Sequence, residues 1–289
     1  MTGTTARPQH PGTPQGLLRR RVVTGLVVAP RTPPDAWPAT PGPDPLGPLA
    51  ARLPGELAAR ELARHHESCS VRDGRVVVRA PLVAAVRRWY RAAVAQRRVG
   101  ALLGGLGDGS HVLHAVPVAD GLGVDHLVVA PGGVVVVRTA HHAGERVLVR
   151  GRQVRADGRP LGHVREVERQ VAAVADRLGA AAGLEVPVRA VVVLVGARSV
   201  RAADVPRPVT VLTDDDLVGW LARRPRVMSQ VVVDRLAALA ADPVTWGADV
   251  EPDEASRRVQ EQACVDAIRA ASRWRPVRAA TSGRPRNRA

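Results

Sequence analysis

Asp125 and His126 open one valine-rich segment, Arg138 closes the next, and His141, His142 and Glu145 follow within a few residues. These are the side chains whose types and spacing could do chemistry. A strand carboxylate beside imidazoles suits a divalent cation, Zn²⁺ or Mn²⁺ where nitrogen joins oxygen, and His114 could contribute from a neighbouring strand. Adjacent strand residues point to opposite faces, however, so His141 and His142 cannot easily share one ion. A second chemistry is phosphate recognition by Arg138, Arg97 or Arg98, whose guanidinium forks bind phosphate oxygens in pairs. Arginine does not act as a general base at ordinary pH, so these residues cannot activate water. The sequence has no phosphate-loop Lys-Ser/Thr, no serine–histidine–acid set and no CxxC pair to carry another reaction.

The elements around these residues must place them. Val124–Ala130 and Val134–Thr139 read as strands joined by the turn Pro131-Gly132-Gly133, so Asp125 starts one strand and Arg138 ends the other. Alternation puts Arg138, Ala140 and His142 on one face and Thr139 and His141 on the other. His111–Val116 and Arg146–Arg150 extend this pair into a compact antiparallel group. Helical spacing runs from Leu49 to about His66 and again from about Pro81 to Leu106, with Val83, Val86, Tyr90, Val94, Val99 and Leu102 on one stripe. Between those helices Asp73-Gly74 marks a hairpin turn. Residues 163–183 form a helix with Val164, Val167, Val171, Val174 and Leu178 inward and Gly183 as its stop. The apolar run 188–197 reads as a central strand covered on both faces, and 208–213 as another strand. Asp214-Asp215-Asp216 then starts a helix, where acids complement the free N–H groups. Helices over 228–241 and 253–272 follow. Trp89, Tyr90 and Trp220 are core candidates.

Composition bounds the partners. The chain has 289 residues and a net charge of +15, and every fixed positive charge is an arginine, since no lysine occurs. That balance favours anionic partners such as nucleic acid or an acidic membrane, without identifying which. Aromatics are 2% of residues, too few for a base-stacking platform, so nucleic acid would be held by its backbone. Cys69 and Cys264 stand far apart without metal or disulfide spacing, which fits a cytoplasmic protein. No segment reaches the roughly 20 apolar residues of a membrane span, so no membrane partner is expected.

Several of these stretches together resemble the NERD, or nuclease-related, domain. They are "QRRVGALLGGL" at 96–106, "HVLHAVPV" at 111–118, "GVDHLVVAPGGVVVVRTAHHAGERVLVRGRQVRADGRPL" at 123–161, the helix around Gln170, "VPVRAVVVLVGA" at 186–197 and "VTVLTDDDLVGWL" at 209–221. The resemblance implies an α/β fold of the PD-(D/E)XK nuclease type, a mixed sheet flanked by helices. It also implies a site in which a helix glutamate, a strand aspartate and a third-strand acid hold Mg²⁺ while a nearby lysine orients water. Carried over position by position, Asp125 keeps the strand aspartate, Gln96 stands at the glutamate, Arg138 at the third-strand acid and Ala140 at the lysine. His126 stands where the family itself carries histidine beside the site. With His142 and Gln170, it is a candidate to line the cleft.

Two unit charges about 4 Å apart interact by about 4 kcal/mol at an effective dielectric near 20. Exchanging a ligand carboxylate for a guanidinium therefore turns strong attraction for a divalent ion into comparable repulsion. The expectation is a degenerate site with no metal cofactor, Mg²⁺ being required only if the family's cleavage is retained. Arg138 should then occupy the metal's place in an ion pair with Asp125. The protein would bind DNA or RNA through arginines such as Arg97 and Arg98. A working nuclease built differently around Asp125 and a protein-interaction scaffold are the alternatives. The expected organisation is a Pro/Gly-rich segment over 1–48, with one edge strand at Arg21–Ala29, then a helical and hairpin extension over 49–93. The nuclease-like domain follows over 94–223, a helical extension over 224–272 and a basic tail over 273–289, with six arginines and no acid.

Overall fold

A computed structural model describes residues 48–64, 69–72, 75–78, 83–118, 122–202 and 209–247. The expected Arg21–Ala29 strand, the turn residues Asp73-Gly74, the 253–272 helix and the basic tail lie outside the described residues.

The first described segment is not one helix to His66. A 3₁₀ turn at Pro48–Ala51 is followed by helix α1, Glu56–Ala63, and the break falls at Pro54-Gly55. Proline lacks the N–H a continuing helix needs, and Gly55 takes φ +85°, a left-handed conformation that side chains with a Cβ resist. Strands β1, Cys69–Arg72, and β2, Arg75–Val78, pair antiparallel with Arg72 opposite Arg75. That is the two-residue hairpin spacing the sequence suggests.

Helix α2, Val83–Leu103, buries Val86, Ala93, Gln96, Val99 and Leu103, while Tyr90, Val94 and Leu102 are only half-buried. The stripe is thus rotated slightly from its expected position, toward small residues that let the helix lie close to the sheet. Trp89 is also half-buried, with the Arg88 guanidinium 4.5 Å from its ring centre, so neither it nor Tyr90 belongs to the core. Trp220 does, and Trp246, fully buried with its indole N–H donated to Ala240 O at 2.8 Å, joins it.

Three strands, β3 (His111–Val118), β4 (Leu122–Ala130) and β5 (Gly133–His141), form an antiparallel meander. The fourth expected member leaves it. Strand β6, Arg146–Arg150, pairs instead with β7, Gln153–Ala156, which pairs with β8, Arg159–Leu161. The reason is the burial pattern. β5 is valine-rich and buried on both faces, whereas β6 alternates exposed arginines with buried valines and must keep one face in water.

Helix α3, His163–Ala182, follows and ends at Gly183, whose φ of 69° supplies the left-handed stop. Gln170 takes a place in its buried stripe, and Val171 is half-buried. Strand β9, Val188–Val195, then runs parallel to β5, and β10, Ser199–Ala202, runs parallel to β6. Strand β11, Thr210–Thr213, parallel to β9, leads into α4, Asp214–Ala222, and α5, Gln230–Ala241, closes the described chain.

The main sheet has the order β11-β9-β5-β4-β3 and the second sheet the order β10-β6-β7-β8. Val134, Val136, Val192 and Leu194 pack on α3 and α5 in one core, while Val135, Val137, Val191 and Val193 pack with residues of α2 and α4 in the other. Each fully buried valine is worth about 1.5–3 kcal/mol, so the two-sided β5–β9 pair anchors the fold. The result is a mixed α/β architecture of the nuclease type, as the sequence implies.

Candidate functional site

The β4–β5 ladder ends at His126 opposite Val137. One step further the strands part, and the side chain of Asp125 takes over what the ladder leaves. Its Oδ2 accepts the backbone N–H of Thr139 at 2.7 Å. Arg138 lies beside it and donates Nη1 to both Asp125 oxygens at 3.0 Å. From α2, Gln96 donates Nε2 to Asp125 Oδ1 at 2.7 Å. From α3, Glu166 Oε1 accepts Arg138 Nη2 at 2.9 Å. Strand, helix and helix therefore converge on one carboxylate that is 6% exposed.

Burial pushes the Asp125 pKa upward, and the Arg138 guanidinium and the Thr139 N–H oppose that push. Burial alone would lower the pKa of Arg138, but the Asp125 and Glu166 carboxylates outweigh it and hold it raised. All three polar neighbours of the Asp125 oxygens are donors, which favour the ionised carboxylate against the push of burial. The Arg138 Nε is buried without a hydrogen-bond partner, and so is the Thr139 hydroxyl.

A divalent cation does not fit this donor set. Mg²⁺ keeps waters and is held through one or two carboxylates, but both oxygens of Asp125 are taken by a guanidinium, an amide N–H₂ and a peptide N–H, and the guanidinium repels a cation. Reversing the Gln96 amide would set its oxygen against the carboxylate. Among the described residues no group of three His, Cys, Asp or Glu is placed to hold a metal.

The other candidate residues divide into separate clusters. Ala140, 5% exposed, lies in the apolar core with Val136 and Leu194 and adds only packing. His142, just beyond β5, bonds through Nδ1 to Glu145 at 2.7 Å and through Nε2 to His163 Nε2 at 2.9 Å, while Arg159 bonds to the other Glu145 oxygen at 2.8 Å. Burial, then the nearness of His142 and Arg138, depresses His163 to about 4. Burial, then Arg91, also lowers the pKa of His141.

His126 is fully buried and meets His114 of β3, Nδ1 to Nδ1 at 2.9 Å. Burial depresses His114 to about 4 and His126 well below its usual value, so this pair is neutral. Gln170 is buried on α3 and donates Nε2 to Gly123 O at 2.5 Å, tying that helix to the start of β4. Arg98 is ion-paired with Asp214 at 2.5 Å although it is 59% exposed, and Arg97 is partly buried beside it on α2.

Two partners escape a reading of the sequence alone, Glu166 and His163, both in the first turn of α3. The signal available was the helix stripe itself, since Glu166 lies one turn before Gln170.

The mixed sheet, its flanking helices and the convergence on Asp125 define a nuclease-like fold. Residues 91–195 match the family model of NERD, the nuclease-related domain. Gln96, Asp125, Arg138 and Glu166 all lie inside it. No curated protein and no solved structure matches the chain. Among the described residues no helix is long and apolar enough to cross a membrane.

Proposed function

We propose that this nuclease-related domain has given up metal-dependent cleavage and acts in the cytoplasm by binding DNA or RNA through arginines, with no resident cofactor. One observation carries the reading: Arg138 Nη1 spans both oxygens of Asp125 at 3.0 Å, so a fixed cation stands where a ligand carboxylate would have to face a metal. The net charge of +15 supports the choice of partner. The test is purified full-length protein with DNA and RNA in Mg²⁺ and Mn²⁺. Binding without cleavage is expected, and turnover abolished by Asp125→Ala would overturn the reading.

A working nuclease with a different constellation is favoured by one feature, the Glu145–His142–His163 chain on the same side of β5. Imidazole can move protons where arginine cannot. That alternative requires cleavage that survives a chelator and disappears in His142→Ala. An interaction scaffold is the reading left if the protein fails to bind nucleic acid even at low salt.

A further inference from the structure

We infer that the exposed face of the β10-β6-β7-β8 sheet is the surface that takes the sugar-phosphate backbone of nucleic acid, on a different sheet from the Asp125–Arg138 pair. This rests on the reading of the protein as a nucleic-acid binder. Strand β6 alternates, with Val147 and Val149 buried against the core and Arg146, Leu148 and Arg150 outward. The register carries that face across the sheet. Leu148 stands opposite Arg155 of β7, and on the other side β10 sets Arg201 opposite Leu148. Directly paired residues share a face, so Arg146, Arg150, Arg155 and Arg201 project together. Arg198, just before β10, lines a depression of about 550 Å³ at one end with Gly144, Arg146, Leu148, Asp157 and Gly158.

Arg146, Arg150, Arg198 and Arg201 have no carboxylate partner among the described residues, and the Arg155 guanidinium reaches only Gly158 O at 3.4 Å. Of the nearby acids, Glu145 pairs with His142 and Arg159 and Glu168 with Arg152, while Asp157 is a carboxylate at the depression itself, accepting the Arg146 backbone N–H at 3.1 Å. Neighbouring strands lie about 4.8 Å apart and alternate residues of one strand about 6.6 Å apart, so the forks form a flat cationic lattice about 13 Å long on β6. Guanidinium groups left unpaired on such a surface suit a repeating phosphate ligand.

A membrane surface is the poorer match. Among the described residues Leu148, 41% exposed, is the large apolar side chain on this face, and no Trp or Tyr accompanies it to enter a headgroup layer. The same lack of aromatics argues against base stacking, so recognition is of backbone and tolerant of sequence. Gly144 and Gly158 at the depression adopt φ of +79° and +83°, and nothing lies within 4 Å of where a Cβ would stand on either, which leaves its mouth open to a phosphate.

The test is fluorescence anisotropy of the full chain with labelled single-stranded DNA, duplex DNA and single-stranded RNA across a salt series. It compares the wild type with a variant carrying Arg146→Gln, Arg150→Gln, Arg155→Gln and Arg201→Gln. A charge-matched control carries Arg165→Gln, Arg169→Gln, Arg223→Gln and Arg226→Gln, and circular dichroism establishes that all three are folded. If four phosphate contacts are lost, the face variant weakens by about 100-fold or more at low salt and its salt slope falls by about 3–4, while the control changes far less. Equal losses in both variants, or full binding by the face variant, overturn the assignment and leave the binding function standing. Wild-type protein that binds no nucleic acid at low salt removes both. Binding to phosphatidylserine vesicles in its place, lost in the face variant, overturns the choice of ligand.

Discussion

Arg138 and Asp125 face each other across the gap where β4 and β5 cease to pair, the Arg138 Nη1 lying 3.0 Å from each carboxylate oxygen. The guanidinium also reaches Glu166, so one side chain ties the sheet to α3 while Gln96 ties it to α2. Removing one member of such a pair leaves the other charge buried, which costs about 3–5 kcal/mol. Arg138→Ala should therefore destabilise strongly in urea or thermal unfolding. Adding Asp125→Asn to it should restore at least about 1 kcal/mol, because the stranded charge is gone. A single-variant loss below about 1 kcal/mol, or strict additivity, would show that the pair does not hold the site together.

Restoring acids reverses the electrostatics. In a variant carrying Gln96→Glu, Arg138→Glu and Ala140→Lys, three carboxylates crowd at Asp125 and repel one another until a cation enters. Its melting temperature should be lower than that of the wild type without metal and should rise with Mn²⁺, by about 2.7 kcal/mol of stabilisation at 100 times the dissociation constant. The wild type should not respond. Calorimetric titration checks the same point, and an equal Mn²⁺ response in both proteins would contradict a closed site.

The buried histidines set an acid limit. His114 and His163 are each depressed from 6.5 to about 4, chiefly by burial. Between those values the unfolded chain binds protons that the folded chain refuses, so stability is fully present above about pH 6.5 and falls as pH drops toward 4. The two sites together should remove a few kcal/mol over that window. Urea midpoints measured at intervals from pH 7 to 4.5 test it, and His114→Gln should flatten part of the slope. A midpoint independent of pH in this range would mean that these rings are not held neutral.

The sequence made the sheet legible wherever burial was two-sided. The β5 and β9 valine runs announce central strands, alternation sets Arg138, Ala140 and His142 on one face, and the family resemblance turns that face toward Asp125. The second sheet was hidden for the opposite reason. Its strands are short and half-exposed, and β10 pairs with β6 from some fifty residues away, a relation that no local pattern encodes. His126 shows the limit for the site. It sits next to Asp125 in sequence, yet alternation turns it to the other face, where it meets His114 and not the cleft. Glu166 was missed because an acid on an exposed-looking helix turn gains meaning only when the strand beneath it supplies an arginine.

Gly100 locks the early segment onto α2. A Cβ there would overlap Pro54 Cβ and stand 2.6 Å from its Cγ, and a Cβ on Gly55 would stand 2.8 Å from Ala93 O. The backbone at 54–55 thus lies directly against α2, and Arg52 adds a bond from Nη1 to Ala115 O at 2.9 Å on β3. Because a proline ring cannot rotate away, Gly100→Ala must push the segment off the helix, at about 1–3 kcal/mol. Gly107→Ala is the matched control, since nothing lies within 4 Å of its added methyl group and its φ is not positive. That control should change stability by less than about 1 kcal/mol or raise it slightly, through lower entropy of the unfolded chain. Equal midpoints for the two variants would mean that the turn preceding α1 does not pack on α2 in solution.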